Sequence, residues 1–141
     1  KLKVAPKSVK RLKQKLRDMF RRGRGRNLGR LLRDLTPQLR GWVAYFRLSE
    51  VKGVFDRLDE WVRRKVRRVL WKHWKRTRTC VRELLLRGVD RALAYRTAFS
   101  GHGPWFCAGT SAMHQAIPTS ALRALGLVSL LDEHRRLARP R

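Results

Sequence analysis

Residues 61–78 read WVRRKVRRVLWKHWKRTR: nine of these eighteen residues are Lys or Arg, and three are tryptophan. Such a run can fold in few ways. Val62, Val66 and Val69 recur at the three-and-four spacing of an α-helix rather than the alternation of a half-buried strand. At 100° per residue they share one face with His73. Trp61 borders that face on one side, Leu70 and Trp74 on the other. Trp71 falls opposite, among Arg64, Arg67, Arg68, Lys75 and Arg78. It either packs against a second layer, such as the C-terminal segment would supply, or stands outward as a ring on which a base stacks while its basic neighbours hold phosphate.

The same grammar runs along the whole chain, which reads as all-α. Pro6 and Ser8 open a helix with Val9, Leu12, Leu16, Met19 and Phe20 as its apolar stripe. RRGRGRN interrupts it with Gly23 and Gly25. Asn27 is a good N-cap for a helix carrying Leu28, Leu31, Leu32 and Leu35. Thr36-Pro37 restarts a helix with Leu39, Trp42, Val43 and Phe46 on one face and Tyr45 beside it. Gly41 inside that helix costs ~1 kcal/mol relative to Ala, which implies close approach of a neighbouring helix. The longest helix is expected from about Val54 to about Trp74, with Phe55, Leu58, Val62, Val66, Val69 and Leu70 facing inward. Thr79 caps a further helix that Gly88 stops, and Asp90 caps a short one. SGHGPWF reads as a loop. Short helices follow over Ser111–Ile117, Ser120–Leu125 and Val128–Leu137. The expected architecture is a three-helix bundle over residues 1–76, then a small subdomain of short helices over 77–141.

Charge narrows the function. The 141 residues hold 36 Lys and Arg against 10 acids, a formal net charge of +26. A body this positive calls for a polyanion, with nucleic acid ahead of an anionic membrane. No apolar run approaches the ~20 residues of a bilayer span. The start, KLKVAPKSVKRLKQKL, lacks the features of a secretion signal. Cys80 and Cys107 make no metal or redox spacing, which fits idle thiols in a reducing cytosol. His73, His102, His114 and His134 are scattered singly. No catalytic residue, metal site or cofactor is expected.

The candidate nucleic-acid contacts are therefore basic and aromatic. Arg21, Arg22, Arg24 and Arg26 bunch on the glycine-containing RRGRGRN segment, either a solvated hinge or a phosphate-binding loop. Arg64, Arg67, Arg68, Trp71, Lys72, Lys75, Arg76 and Arg78 form the second set.

In their order, LRGWVAYFRLSE, FDRLDEWVRRKVRRVLWKHWKR, RTCVRELLLRG, GPWFCAGTSAMHQAI and LGLVSLLDEH resemble group II intron reverse transcriptase/maturases. The resemblance covers about Pro6 to Leu137. Its most specific parts are Gly41-Trp42 with Tyr45-Phe46-Arg47, and Leu70-Trp71-Lys72 with Trp74-Lys75-Arg76. Trp61 belongs to the same block. His73 stands where the family has Gln, and Gly103-Pro104-Trp105 where Gly-Tyr-Trp is more usual. The resemblance implies the end of such a protein: the thumb, or domain X, followed by a DNA-binding region. It implies group II intron RNA as partner, with target DNA as a further one, and a non-enzymatic role in intron folding and splicing. The Tyr-x-Asp-Asp motif of the polymerase palm and a Cys/His endonuclease module are absent from these residues. Two rival readings are an architectural DNA-binding protein and a small nuclease using His73, His102 or His114 with an acid.

Overall fold

Burial of one apolar stripe per helix organises the chain. In α1 (Pro6–Arg22) the side chains of Leu12, Leu16 and Phe20 are buried, and proline sits in the first turn. Each such side chain contributes ~1.5–3 kcal/mol on leaving water, which outweighs the repulsion between Lys and Arg three and four residues apart on the helix. The computed structural model describes residues 2–23 and 27–138, and it is all-α apart from one short bridge. That bridge joins β1 (Leu2–Lys3) in parallel to β2 (Ser49–Glu50). The remaining helices are α2 (Leu28–Tyr45), α3 (Lys52–His73), α4 (Thr77–Leu86), α5 (Arg91–Ala98), α6 (Pro104–Ala108), α7 (Ser111–Ala116), α8 (Thr119–Leu125) and α9 (Leu130–Ala138).

Several boundaries depart from the sequence expectation. The first helix, α1, runs on through Arg21 and Arg22, expected on the RRGRGRN loop. Helix α4 starts at Thr77, after Arg76, so Thr79 lies inside the helix and does not cap it. Residues 28–45 form one helix straight through Pro37, with no restart at Thr36. Proline there forfeits one backbone bond. The Thr36 hydroxyl donates to the Leu32 carbonyl at 2.9 Å, and Leu35 and Leu39 are buried on either side of the break. Residues 104–106, the end of the stretch read as loop, instead open α6, with proline at its first position. The capping expectations at Asn27 and Asp90 hold: their side chains accept from the backbone of Gly29 at 2.7 Å and Leu93 at 3.3 Å. Gly88 also ends α4 as expected. At φ +86° it donates to the Leu85 carbonyl while Val89 donates to Leu84, the paired bonds of a Schellman cap.

The chain gathers into two compact units, one built from the chain up to Trp61 with the segment from Arg123 onward, the other from Val62 to Leu122. This differs from the 76/77 division, because the C-terminal helix returns to the first unit. There α9 joins the bundle of α1, α2 and the first half of α3. Asp59 of α3 is buried and caps α9 together with the local Ser129, whose hydroxyl accepts from the Asp132 amide at 3.3 Å. Asp59 accepts from the amides of Leu130 at 2.7 Å and Leu131 at 3.1 Å and from the Ser129 hydroxyl at 2.9 Å. Arg40 of α2 reaches Glu133 of α9 at 3.3 Å. In the second unit, α4 packs on α5, and α7 packs against both and against α6.

Gly41 does not mark a helix crossing. It is exposed, and a Cβ built there meets nothing within 4 Å. Its flanking motif residues divide: Phe46 is buried beneath Trp42 at 4.4 Å between ring centroids, whereas Tyr45 is 80% exposed.

Candidate nucleic-acid interface

The first unit presents its basic surface on α1. Lys7, Lys10, Arg11, Lys15, Arg17, Arg21 and Arg22 are all exposed, opposite the buried stripe. Asp18 is the helix's single acid and holds Arg21 at 2.7 Å, a solvent-screened pair worth ~1 kcal/mol at most. Arg22 and Arg21 thus extend a basic face that begins at Lys7. Arg24 and Arg26 lie outside the described residues. Beside this face Trp61 is half-buried, with Lys13 Nζ 5.4 Å and Arg17 Cζ 5.5 Å from its ring centroid.

The second unit presents its charge at the corner between α3 and α4. Lys72, Lys75, Arg76 and Arg78 are exposed there, and Arg68 is half-buried. Lys75 makes the corner, at φ 55°, a left-handed conformation uncommon outside glycine. Trp74 is buried behind it, with the Arg87 guanidinium 5.2 Å from its ring. From Val62 to Leu122 there are thirteen Lys and Arg and only two acids, Glu83 and Asp90. Glu83 is bound to Arg87 at 2.9 Å.

Three residues expected at the interface are placed elsewhere. Trp71 is only 8% exposed and Arg67 only 2%. Arg67 donates from Nε to the Ile117 carbonyl at 2.8 Å. Burial, and next the charge of Arg63, push its pKa down to about 10, so it stays protonated near neutrality. Arg64 is half-buried and donates to the Trp105 carbonyl at 2.8 and 3.0 Å, its guanidinium 4.1 Å from that indole's centroid. A Cβ at Gly109 would lie 2.7 Å from Arg64 Cζ, so glycine makes room for the side chain. Arg64, Arg67, Trp71 and Trp74 are spaced three, four and three apart, one continuous stripe down the helix. The layer that covers Arg64 and Arg67 is α6, α7 and their ends. Residues 97–122 contain no Lys, Arg, Asp or Glu at all, which suits them to lie against the helix. Val69 is half-buried and His73 exposed, so the aliphatic face does not run to the end of α3.

Apart from Arg21 and Arg22, the basic face of α1 was not among the candidates taken from sequence. The signal was present, since Lys7, Lys10, Arg11 and Arg17 fall opposite Leu12, Leu16 and Phe20 on the same wheel. Histidine chemistry gains nothing here. The His102 ring lies 4.0 Å from that of Phe106, and His114 Nδ1 bonds the Thr110 carbonyl at 2.8 Å, neither beside an acid. Among the described residues no group of three His, Cys, Asp or Glu gathers as a metal site. Both cysteines are buried and free. Burial, then the neighbouring Cys107, push the Cys80 thiol up to about 11, and burial raises Cys107 as well, so neither is a nucleophile at neutral pH. No helix among the described residues is long and apolar enough to cross a membrane.

Residues 9–87 match the family model of the group II intron, maturase-specific domain. No match is found among curated proteins.

Proposed function

Because the chain belongs to the group II intron maturase-specific domain family, we propose that it binds group II intron RNA and promotes its folding and splicing without catalysing a covalent step. The observation that carries this reading is the position of the exposed cations: the α1 face and the α3–α4 corner both fall within the matched residues 9–87, apart from Lys7. A folded intron packs phosphates closely, and their repulsion opposes the compact state. Guanidinium and ammonium groups placed among them lower that penalty, and the RNA supplies its own chemistry. Duplex RNA hides its base edges in a deep groove, so recognition rests on shape, phosphate and unpaired segments. A maturase-specific domain alone is not a catalytic domain, in keeping with a binding role.

The test is a titration of the protein into intron RNA at several salt concentrations, followed by a splicing assay at low magnesium. The reading expects steep salt dependence and faster splicing with protein. Changing Lys10, Arg11 and Lys15 together to Gln should weaken both without moving the melting midpoint, because these side chains are exposed. Binding that is flat in salt, or tighter to duplex DNA than to intron RNA, would sink it; the latter outcome would favour an architectural DNA-binder.

A further inference from the structure

Between α4 and α5 the second unit carries an open groove of about 610 Å³, lined by Arg78, Arg82, Leu85, Leu86, Tyr95 and Phe99 among others. Its walls are apolar and uncovered: Leu86 is 73% exposed and Phe99 63%. Tyr95 and Phe99 stand one turn apart on α5 and its C-terminal cap. Their rings are parallel to within 2°, with centroids 6.0 Å apart. The Arg91 guanidinium lies 5.3 Å from the Tyr95 ring, and no acid lines the groove.

We propose that this groove takes unpaired RNA bases, with Tyr95 and Phe99 as the stacking surface and Arg78, Arg82 and Arg91 as the phosphate contacts. This rests on the RNA-binding reading above and adds a site to it. Two flat, exposed, parallel rings offer π-faces in one orientation, so a base laid on one lies parallel to the other. Stacking of this kind accepts any base and needs a cationic track beside it for the backbone. Charge selects the occupant. A second copy of this chain would bring +26 of like charge to a rim already made of arginine. An apolar peptide would leave those arginines without a partner, whereas a single-stranded polyanion satisfies rings and rim together. Unpaired RNA fits where duplex does not, because only splayed bases expose their faces.

The experiment compares a 12-nucleotide unstructured RNA, an RNA duplex and a DNA strand of the same sequence against the full chain and its Tyr95→Ala, Phe99→Ala, Phe99→Leu and Phe99→Trp variants. Both alanine variants should bind the single strand about 5- to 140-fold more weakly, the ratio corresponding to ~1–3 kcal/mol per stacked base, and the duplex within about twofold of wild type. Phe99→Leu should behave as alanine, since it keeps the apolar bulk and loses the π-face. Phe99→Trp should bind as tightly as wild type or tighter. Chemical melts of all four should coincide with wild type, because these side chains are exposed. Unchanged single-strand binding in the variants, while wild type still binds intron RNA, overturns the groove and spares the proposed function; loss of all RNA binding by wild type overturns both. Full activity of Phe99→Leu would reassign the groove to an apolar peptide. Self-association that Tyr95→Ala abolishes would reassign it to a second copy. DNA bound tenfold more tightly than RNA would remove RNA as the occupant.

Discussion

Replacing Asp59 by alanine should unfasten the C-terminal helix, and the geometry gives the size of the effect. The Asp59 side chain is 4% exposed in the residue as a whole, and its two oxygens accept from the Leu130 and Leu131 amides and the Ser129 hydroxyl. Helix N-termini leave their first amides without intrahelical partners, so alanine leaves two donors to find water. Leu130 is fully buried, and its amide loses its acceptor where water does not reach, at ~1–3 kcal/mol. Leu131 is half-buried, and water recovers part of its loss. The favourable interaction of a carboxylate with the helix N-terminus, ~0.3–1 kcal/mol, goes as well. The expected total is ~2–4 kcal/mol. Asp59→Asn keeps one acceptor oxygen and should cost about half as much. Chemical denaturation measures both, and amide exchange at Leu130 and Leu131 locates the change. An Asp59→Ala variant within ~0.5 kcal/mol of wild type, or one in which exchange rises equally everywhere, would refute the claim that Asp59 fastens α9.

Trp71→Ala should destabilise the fold by ~3–5 kcal/mol, as for a buried indole, and RNA titration of the refolded variant should show normal affinity; a stable variant with weak binding would mean that the ring faces RNA. Gly41→Ala should raise stability by ~0.5–1 kcal/mol, because the site is an exposed helix interior with free space for a methyl; a lower melting midpoint would reveal a neighbour at that position. Glu133 is exposed to opposing influences: burial raises its pKa, but the hydrogen bond and charge of Arg136, with Arg40, bring it below the usual glutamate value. Its contribution is therefore fully present above the unfolded value of ~4.3 and is lost as pH falls through the lower folded value, so the gap between wild type and Glu133→Gln in chemical melts should close on acidification; a gap independent of pH would contradict it.

Much of the helical plan was legible because it rests on local chemistry. Asn27, Asp90 and Gly88 act through their own backbone neighbours, and the stripe Leu12–Leu16–Phe20 needs only a period of 3.6. What was hidden depends on the partner surface. Gly41 in an apolar pattern reads as a crossing, and nothing local shows that its side of the helix faces solvent. Asp59 falls inside a helical pattern with nothing local to single it out, yet it caps a helix about seventy residues away in sequence. The second stripe of α3 is the sharpest case. Two of its four members are arginine, and a search for aliphatic periodicity passes over them. An arginine can be buried when carbonyls take its donors and a ring takes its face, as Trp105 and Ile117 do. The uncharged run at 97–122 was the clue in the sequence: a segment without charge in so basic a chain has to lie against something.

This division of the arginines yields a last prediction, for which salt dependence is the measurement. A cation that touches phosphate releases counterions on binding, so its removal lowers the slope of log K against log salt by ~1. Arg76 and Arg78 are exposed at the α3–α4 corner, with no protein partner to compete for them in either ion pairs or hydrogen bonds recorded among the described residues. Changing both to Gln should lower the slope by ~2 and leave the melt unchanged. Arg64 carries the same formal charge but gives two bonds to the Trp105 carbonyl and its face to the indole. Charged hydrogen bonds contribute ~1.5–3 kcal/mol, so Arg64→Gln should destabilise by about that much and leave the slope of the folded protein almost unchanged. The pair of measurements separates the two roles, because formal charge changes by one per residue in every variant. A drop of ~1 in slope for Arg64→Gln with an unaltered melt would mean that its bonds to Trp105 give way to phosphate when RNA arrives. The α6–α7 layer would then have to lift from α3 in the complex.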